Sequence, residues 1–93
     1  MAALSGQKVI ATAGTALQLG TIDILGPLMV KALDTNTGVV ALGNDGAADV
    51  TVSNGLRLLK GEVVIFEYVG NLASLWLDSA VNGEGVSWLQ LTV

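Results

Sequence analysis

The groups from which an active site would have to be built are eight carboxylates (Asp23, Asp34, Asp45, Asp49, Glu62, Glu67, Asp78, Glu84) and five serines; the chain has neither cysteine nor histidine. A serine nucleophile needs a neighbouring base; there is no His, and the one Ser-x-x-Lys spacing, Ser5-Gly6-Gln7-Lys8, has no Ser-Asp-Asn or Lys-Thr-Gly motif to accompany it. A pair of carboxylates could in principle work on a sugar, but nothing in the spacing brings two together, and so short a chain has little room for a cleft. Asp34-Thr35-Asn36-Thr37-Gly38 begins like a calcium loop, yet its fifth position is Gly and no Glu closes it at the far end. Asn44-Asp45 with Asp49 is equally loose, and zinc lacks its usual ligands. These clusters read as Asx turns that hydrogen-bond their own backbone. Gly83-Glu84-Gly85 lacks the Lys and helix N-terminus of a phosphate loop, and reads as a hairpin turn. The expectation is therefore a protein that is not an enzyme and uses no metal and no cofactor.

The elements that carry these residues are short. Turn signals recur at Gly14, Gly20, Gly26-Pro27, Asn36-Thr37-Gly38, Asn44-Asp45-Gly46, Asn54-Gly55, Lys60-Gly61, Gly70-Asn71 and Asn82-Gly83, with Val, Ile, Leu and Thr between them. That is the pattern of an all-β sandwich or barrel. The segments predict strands near 7–12, 15–19, 28–34, 38–43, 48–53, 56–59, 62–69, 74–78 and 85–92, with no helical stripe. Asp45-Gly46 and Asn54-Gly55 supply the backbone conformation that tight hairpins need, which predicts a meander from about 38 to 59. Alternation predicts Ala48, Val50 and Val52 on one face of a half-buried strand.

The second half carries apolar residues on both faces of its strands. In 62–69, Val64, Phe66 and Tyr68 oppose Val63, Ile65 and Val69; in the last strand, Val86, Trp88, Gln90 and Thr92 oppose Ser87, Leu89, Leu91 and Val93. Antiparallel strands of a small domain ordinarily show water one polar face, so a second apolar face predicts a cover from outside. With Leu75 and Leu77 turned inward, Trp76 points outward between Ser74 and Asp78. Phe66, Tyr68, Trp76 and Trp88 are the expected core and interface anchors, aromatic side chains being the ones that dominate binding energies.

Composition points the same way. Apolar residues make up 52% of the chain and charged ones 13%, against about 25% charged in an ordinary domain. At 93 residues there is room for one core, expected over 7–93 behind a flexible arm at 1–6. A core of this size usually leans on disulfides, a metal or association, and only association is left. The net charge of −4, with only Lys8, Lys31, Arg57 and Lys60 basic, argues against nucleic acid and against anionic membranes. No basic n-region opens the chain and no run is long enough to span a bilayer, so a cytoplasmic site of synthesis is expected.

The segments Val39-Val40-Ala41-Leu42-Gly43, then Asp49-Val50-Thr51-Val52-Ser53-Asn54-Gly55-Leu56-Arg57-Leu58 and Lys60-Gly61-Glu62, resemble small virion proteins of tailed bacteriophages. Asn71-Leu72-Ala73-Ser74-Leu75-Trp76 and Val86-Ser87-Trp88-Leu89 are similar to the same group, and the likeness spans roughly 7–92. The resemblance implies a capsid decoration, or cement, protein. Such a protein would be a compact, jelly-roll-like antiparallel β-sandwich of about eight strands, trimeric and seated over junctions of the major capsid protein. Its place would be the capsid exterior, after synthesis in a bacterial cytoplasm, and its partners would be its own copies and the shell. The alternative is a tail, head-fibre or spike module that binds a host surface or carbohydrate, using Trp76 or Tyr68 with Asp78 or Asn71.

Overall fold

In Leu28–Ala32 every second side chain is buried and the ones between are half-exposed, which is the period of a strand with one face on a core. A computed structural model describes residues 4–44, 46, 50–51 and 54–91, and this five-residue segment lies near the middle of its first sheet. In chain order the strands are β1 (Ser5–Ile10), β2 (Leu17–Gln18), β3 (Asp23–Ile24), β4 (Leu28–Ala32), β5 (Val40–Gly43), β6 (Leu56–Leu58), β7 (Val63–Phe66), β8 (Gly70–Asn71), β9 (Trp76–Ser79) and β10 (Glu84–Gln90). The chain is all-β: the described residues contain no α-helix, only a single 3-10 turn at Leu72–Ser74.

The strands form two four-stranded antiparallel sheets, ordered β1-β10-β4-β7 and β2-β9-β5-β6, and β3 pairs with β8 in a short ribbon. Ile10, Leu28, Val30, Ala32, Val86 and Trp88 of the first sheet meet Val40, Leu42, Leu58 and Leu77 of the second in one core. Each sheet thus has an inner face on that core and an outer face turned away from it.

Several local devices hold the layers. Gly6 stands opposite Trp88 in the β1–β10 register, and a Cβ at Gly6 would lie 2.7 Å from the indole, so the ring packs flat over a residue without a side chain. Gly85 is constrained from the other side, because a Cβ there would strike the backbone oxygen of Lys8. Ser5 and Gly6, placed in an arm by the sequence, belong to β1 and pair with Leu89 and Trp88; residues 1–3 lie outside the described residues.

The sequence pattern and the structure differ at three places. First, β3 and β8 were not expected, because Gly70-Asn71 looks like punctuation and Asp23 interrupts an apolar run. Second, the expected 48–53 strand lies mostly outside the described residues; Val50 is buried, and Thr51 forms an isolated bridge with Asn54. Thr51 and Asn54 exchange backbone hydrogen bonds, and β5 pairs directly with β6. Third, β7 ends at Phe66, so the face expected to hold Val64, Phe66 and Tyr68 loses its last member. Tyr68 is 79% exposed, whereas Val69, expected opposite, packs against the core.

Candidate functional site

The candidate site is the outer face of the first sheet. Directly paired residues of antiparallel strands share a face, so the register lays two rows across it: Ser5–Leu89–Met29–Ile65, and Gln7–Ser87–Lys31–Val63. Ile65 is 53% exposed, Val63 46% and Leu89 42%. Leu91 prolongs the apolar strip beyond Leu89, where its N–H donates to the Pro27 carbonyl. Lys31 is the only charged residue in the two rows, and it forms a 3.4 Å ion pair with Asp34. Of the eight residues in the two rows, Met29, Val63, Ile65 and Leu89 are apolar and Ser5, Gln7, Lys31 and Ser87 are polar.

Why the sequence leaves it open follows from period two. Val64, Phe66, Val86 and Trp88 satisfy the core, and among the described residues their alternates Val63, Ile65 and Leu89 meet no further layer. β7 is also an edge strand, and Val63–Phe66 has none of the Lys, Pro or bulge features that usually discourage pairing with another chain.

The outer face of the second sheet is arranged differently. Asp78, Ala41 and Arg57 share one row, and Gln18, Trp76 and Gly43 another. Asp78, expected in the open beside Trp76, is 2% exposed, and Ala41 is buried with it. One Asp78 oxygen accepts the N–H groups of Gly14 (3.0 Å) and Ser79 (2.8 Å), and Asn82 accepts from Ala13 (2.7 Å). The segment around Ala13 and Gly14 is thereby tied down over this end of the sheet.

A second polar fastening involves Glu84 and Asn36. Glu84 accepts from the Thr37 N–H (2.7 Å), the Thr37 hydroxyl (2.8 Å) and the Gly38 N–H (3.0 Å). The Gly38 N–H does most to hold its carboxyl below the usual carboxylate range; burial opposes this, and the two Thr37 donors add to it. Asn36 gives its amide to the Gly85 carbonyl (2.9 Å) and accepts the Gly85 N–H (3.2 Å), so a side chain takes the role of a neighbouring strand. In the loop that resembled a calcium site, Asn36 faces inward while Asp34 faces solvent, so their oxygens do not converge on one point.

The four expected anchors are spread over the fold. Trp88 is 7% exposed and belongs to the core. Phe66 is half-buried and lines a cleft of about 280 Å³ with Leu42, Leu56 and Leu75, where the edges β6 and β7 part. Trp76 is half-buried on the outer face of the second sheet, with Leu75 and Leu77 buried behind it as the alternation requires. Tyr68 stands in the loop before β8, its hydroxyl near Gly70. No two of these aromatics share the apolar outer face. Its members Met29, Val63, Ile65 and Leu89 are aliphatic, and the signal that marks them is the doubly apolar alternation of the second half.

Among the described residues no helix is long and apolar enough to cross a membrane. No family model matches the chain, and neither a curated protein nor a solved structure matches it.

Proposed function

We propose that the protein is a structural subunit of a phage head: a homotrimer that binds over junctions of the major capsid protein and stabilises the shell. The observation that carries this reading is the cluster of exposed and half-exposed apolar side chains on the outer face of the first sheet, Met29, Val63, Ile65 and Leu89, which no other layer among the described residues covers. Strand order supports it at the level of fold. With the two-residue strands β3 and β8 set aside, the remaining eight run 1-8-3-6 in one sheet and 2-7-4-5 in the other. That order supports reading the fold as the double Greek key of a jelly roll, an architecture used by viral capsid proteins and also by lectins. Because a fold alone does not assign a function, the surface must decide between these.

The surface favours assembly over sugar binding. Asp78 and Asn71, the polar groups a sugar platform beside Trp76 or Tyr68 would use, are already engaged. Asp78 holds Gly14 and Ser79, while Asn71 binds Thr21, Asp23 and Ala73. Aliphatic side chains on a flat sheet suit another protein surface. An ordinary specific interface covers about 800 Å² per partner, with apolar area contributing about 25 cal/mol per Å² before ordering costs. A trimer touching several shell subunits adds effective concentration with each further contact, so modest single contacts hold firmly.

The test is co-sedimentation of purified, labelled protein with phage heads stripped of it. Retention on intact heads, saturating at a fixed number of trimers per head, is the expected result. A monomer that stays in the supernatant, or label that marks tails instead of heads, contradicts the proposal.

A further inference from the structure

We propose that copies of this chain join edge to edge, β7 of one against β1 of the next, with Val63 opposite Gln7 and Ile65 opposite Ser5. The inference rests on the homotrimer reading and says how the copies meet. β1 and β7 are the two ends of the first sheet, and among the described residues neither has a neighbour on its far side. The Glu62 carbonyl accepts the Ala32 N–H just beyond β4, and the Leu4 carbonyl accepts the Gln90 N–H of β10. Backbone groups alternate in direction along a strand. Val63 and Ile65 on one edge, and Ser5, Gln7 and Val9 on the other, therefore aim their N–H and C=O groups away from the sheet.

Charge decides which edge meets which. Residues 62–67 carry a carboxylate at each end and no base, so pairing β7 with β7 of a second copy gathers only carboxylates at the seam. β1 carries Lys8, which stands opposite Val86 and so on the inner side of the sheet. An inward charge at an edge discourages any incoming strand that does not answer it. Two β1 strands bring only ammonium groups together, whereas β7 answers with Glu62, which lies beside the buried Ala32 on the same inner side. The Leu59 N–H donates to Glu62 Oε1 at 2.6 Å and holds that carboxylate at the head of β7.

The register follows from the same residues. With Val63 opposite Gln7 and Ile65 opposite Ser5, Glu62 falls opposite Lys8, Val64 opposite Gly6 and Phe66 opposite Leu4. Opposite charges and apolar side chains thus meet in direct cross-strand pairs, the unit of sheet stabilisation. Sliding β7 by two residues either way sets Lys8 against Val64 or against Lys60. In the proposed register both outer rows run on across the seam, since Ser5 and Gln7 begin them and Ile65 and Val63 end them. Ile65 of one copy and Leu89 of the next then flank Ser5, whose short side chain lets them approach. Different edges meet, so the contact is heterologous and can close into a trimeric ring, whereas a β7–β7 contact makes a two-fold pair.

The chain has no cysteine, so introduced thiols report the register. Gln7→Cys and Val63→Cys placed together in one chain should form a disulfide between copies under mild oxidation, giving covalent dimers and trimers and nothing larger on a non-reducing gel. Gln7→Cys with Ile65→Cys, and either single variant, should crosslink at least about tenfold less, because a disulfide tolerates little error in Cα separation. In a second arm, Lys8→Glu should weaken the trimer in light scattering, and adding Glu62→Lys should restore it. A monomeric native chain would overturn the homotrimer and this pairing together. A native trimer whose Gln7→Cys, Val63→Cys variant stays uncrosslinked, crosslinking by Val63→Cys alone, or a charge swap that restores nothing would overturn the pairing while the homotrimer stands.

Discussion

The two outer faces of the molecule are built from the same kind of strand and end in opposite states. On the second sheet, Asp78 reaches the N–H of Gly14, the chain folds over its own sheet, and Ala41 and Asp78 are removed from water. On the first sheet no such tether exists among the described residues, and Val63, Ile65 and Leu89 are left facing out. A buried carboxylate with two backbone donors thus covers Ala41 and Asp78 on one face, where Trp76 stays half-buried and Arg57 exposed. Its absence, in residues no less apolar, is what leaves the other available to a partner.

Both faces depend on the shared core, so the largest effect comes from breaking it. Trp88→Ala removes the ring that covers Gly6, and truncating a buried Trp costs about 3–5 kcal/mol. Urea denaturation should show a loss of unfolding free energy of that size, with both faces lost together. Asp78→Ala separates the faces. It orphans the Gly14 and Ser79 donors, at about 1–3 kcal/mol for each that stays buried. Hydrogen exchange should then rise at Gly14 and along β9 while β4 and β7 stay protected; equal loss in both sheets would sink the distinction.

Glu84 provides a pH handle that lies on neither face. Its folded pKa is held below the ordinary 4.5, so its contribution is complete above that value and is lost as pH falls through it toward the lowered folded value. Thermal melts should therefore show Tm falling in acid. Glu84→Gln should lower Tm at neutral pH and flatten the acid-side slope; a variant as acid-sensitive as the parent would remove Glu84 from the account. The smallest effect on folding is expected at the open face. Ile65→Lys places a charge where solvent already reaches, so stability of the isolated chain should change by no more than about 0.5 kcal/mol.

Much of this was legible in the sequence because period-two alternation is local. Leu28–Ala32 announces its inner face in its own residue order, and the excess apolar face of the second half is visible in Val63–Phe66 and Glu84–Gln90. The roof over the second sheet was not legible, because it depends on pairs far apart in the chain: Asp78 with Gly14, Asn82 with Ala13, Glu84 with Thr37. For the same reason Asp78 was expected in the open. Tyr68 was misplaced because a strand's end is set by the Gly70 turn and the β3–β8 ribbon, which a four-residue apolar run does not reveal. Aromatic type was a poor guide to the open face, since Trp88 fills the core while aliphatic residues line the surface.

The most direct test of the central claim, that the open face of the first sheet is where copies or shell subunits meet this chain, is the solution mass of the native protein beside that of Ile65→Lys and Leu89→Lys, measured by light scattering at micromolar concentration. The account predicts a trimer for the native chain and monomers with unchanged Tm for the two variants. A native chain that is monomeric and stable, or variants that stay trimeric, would contradict it.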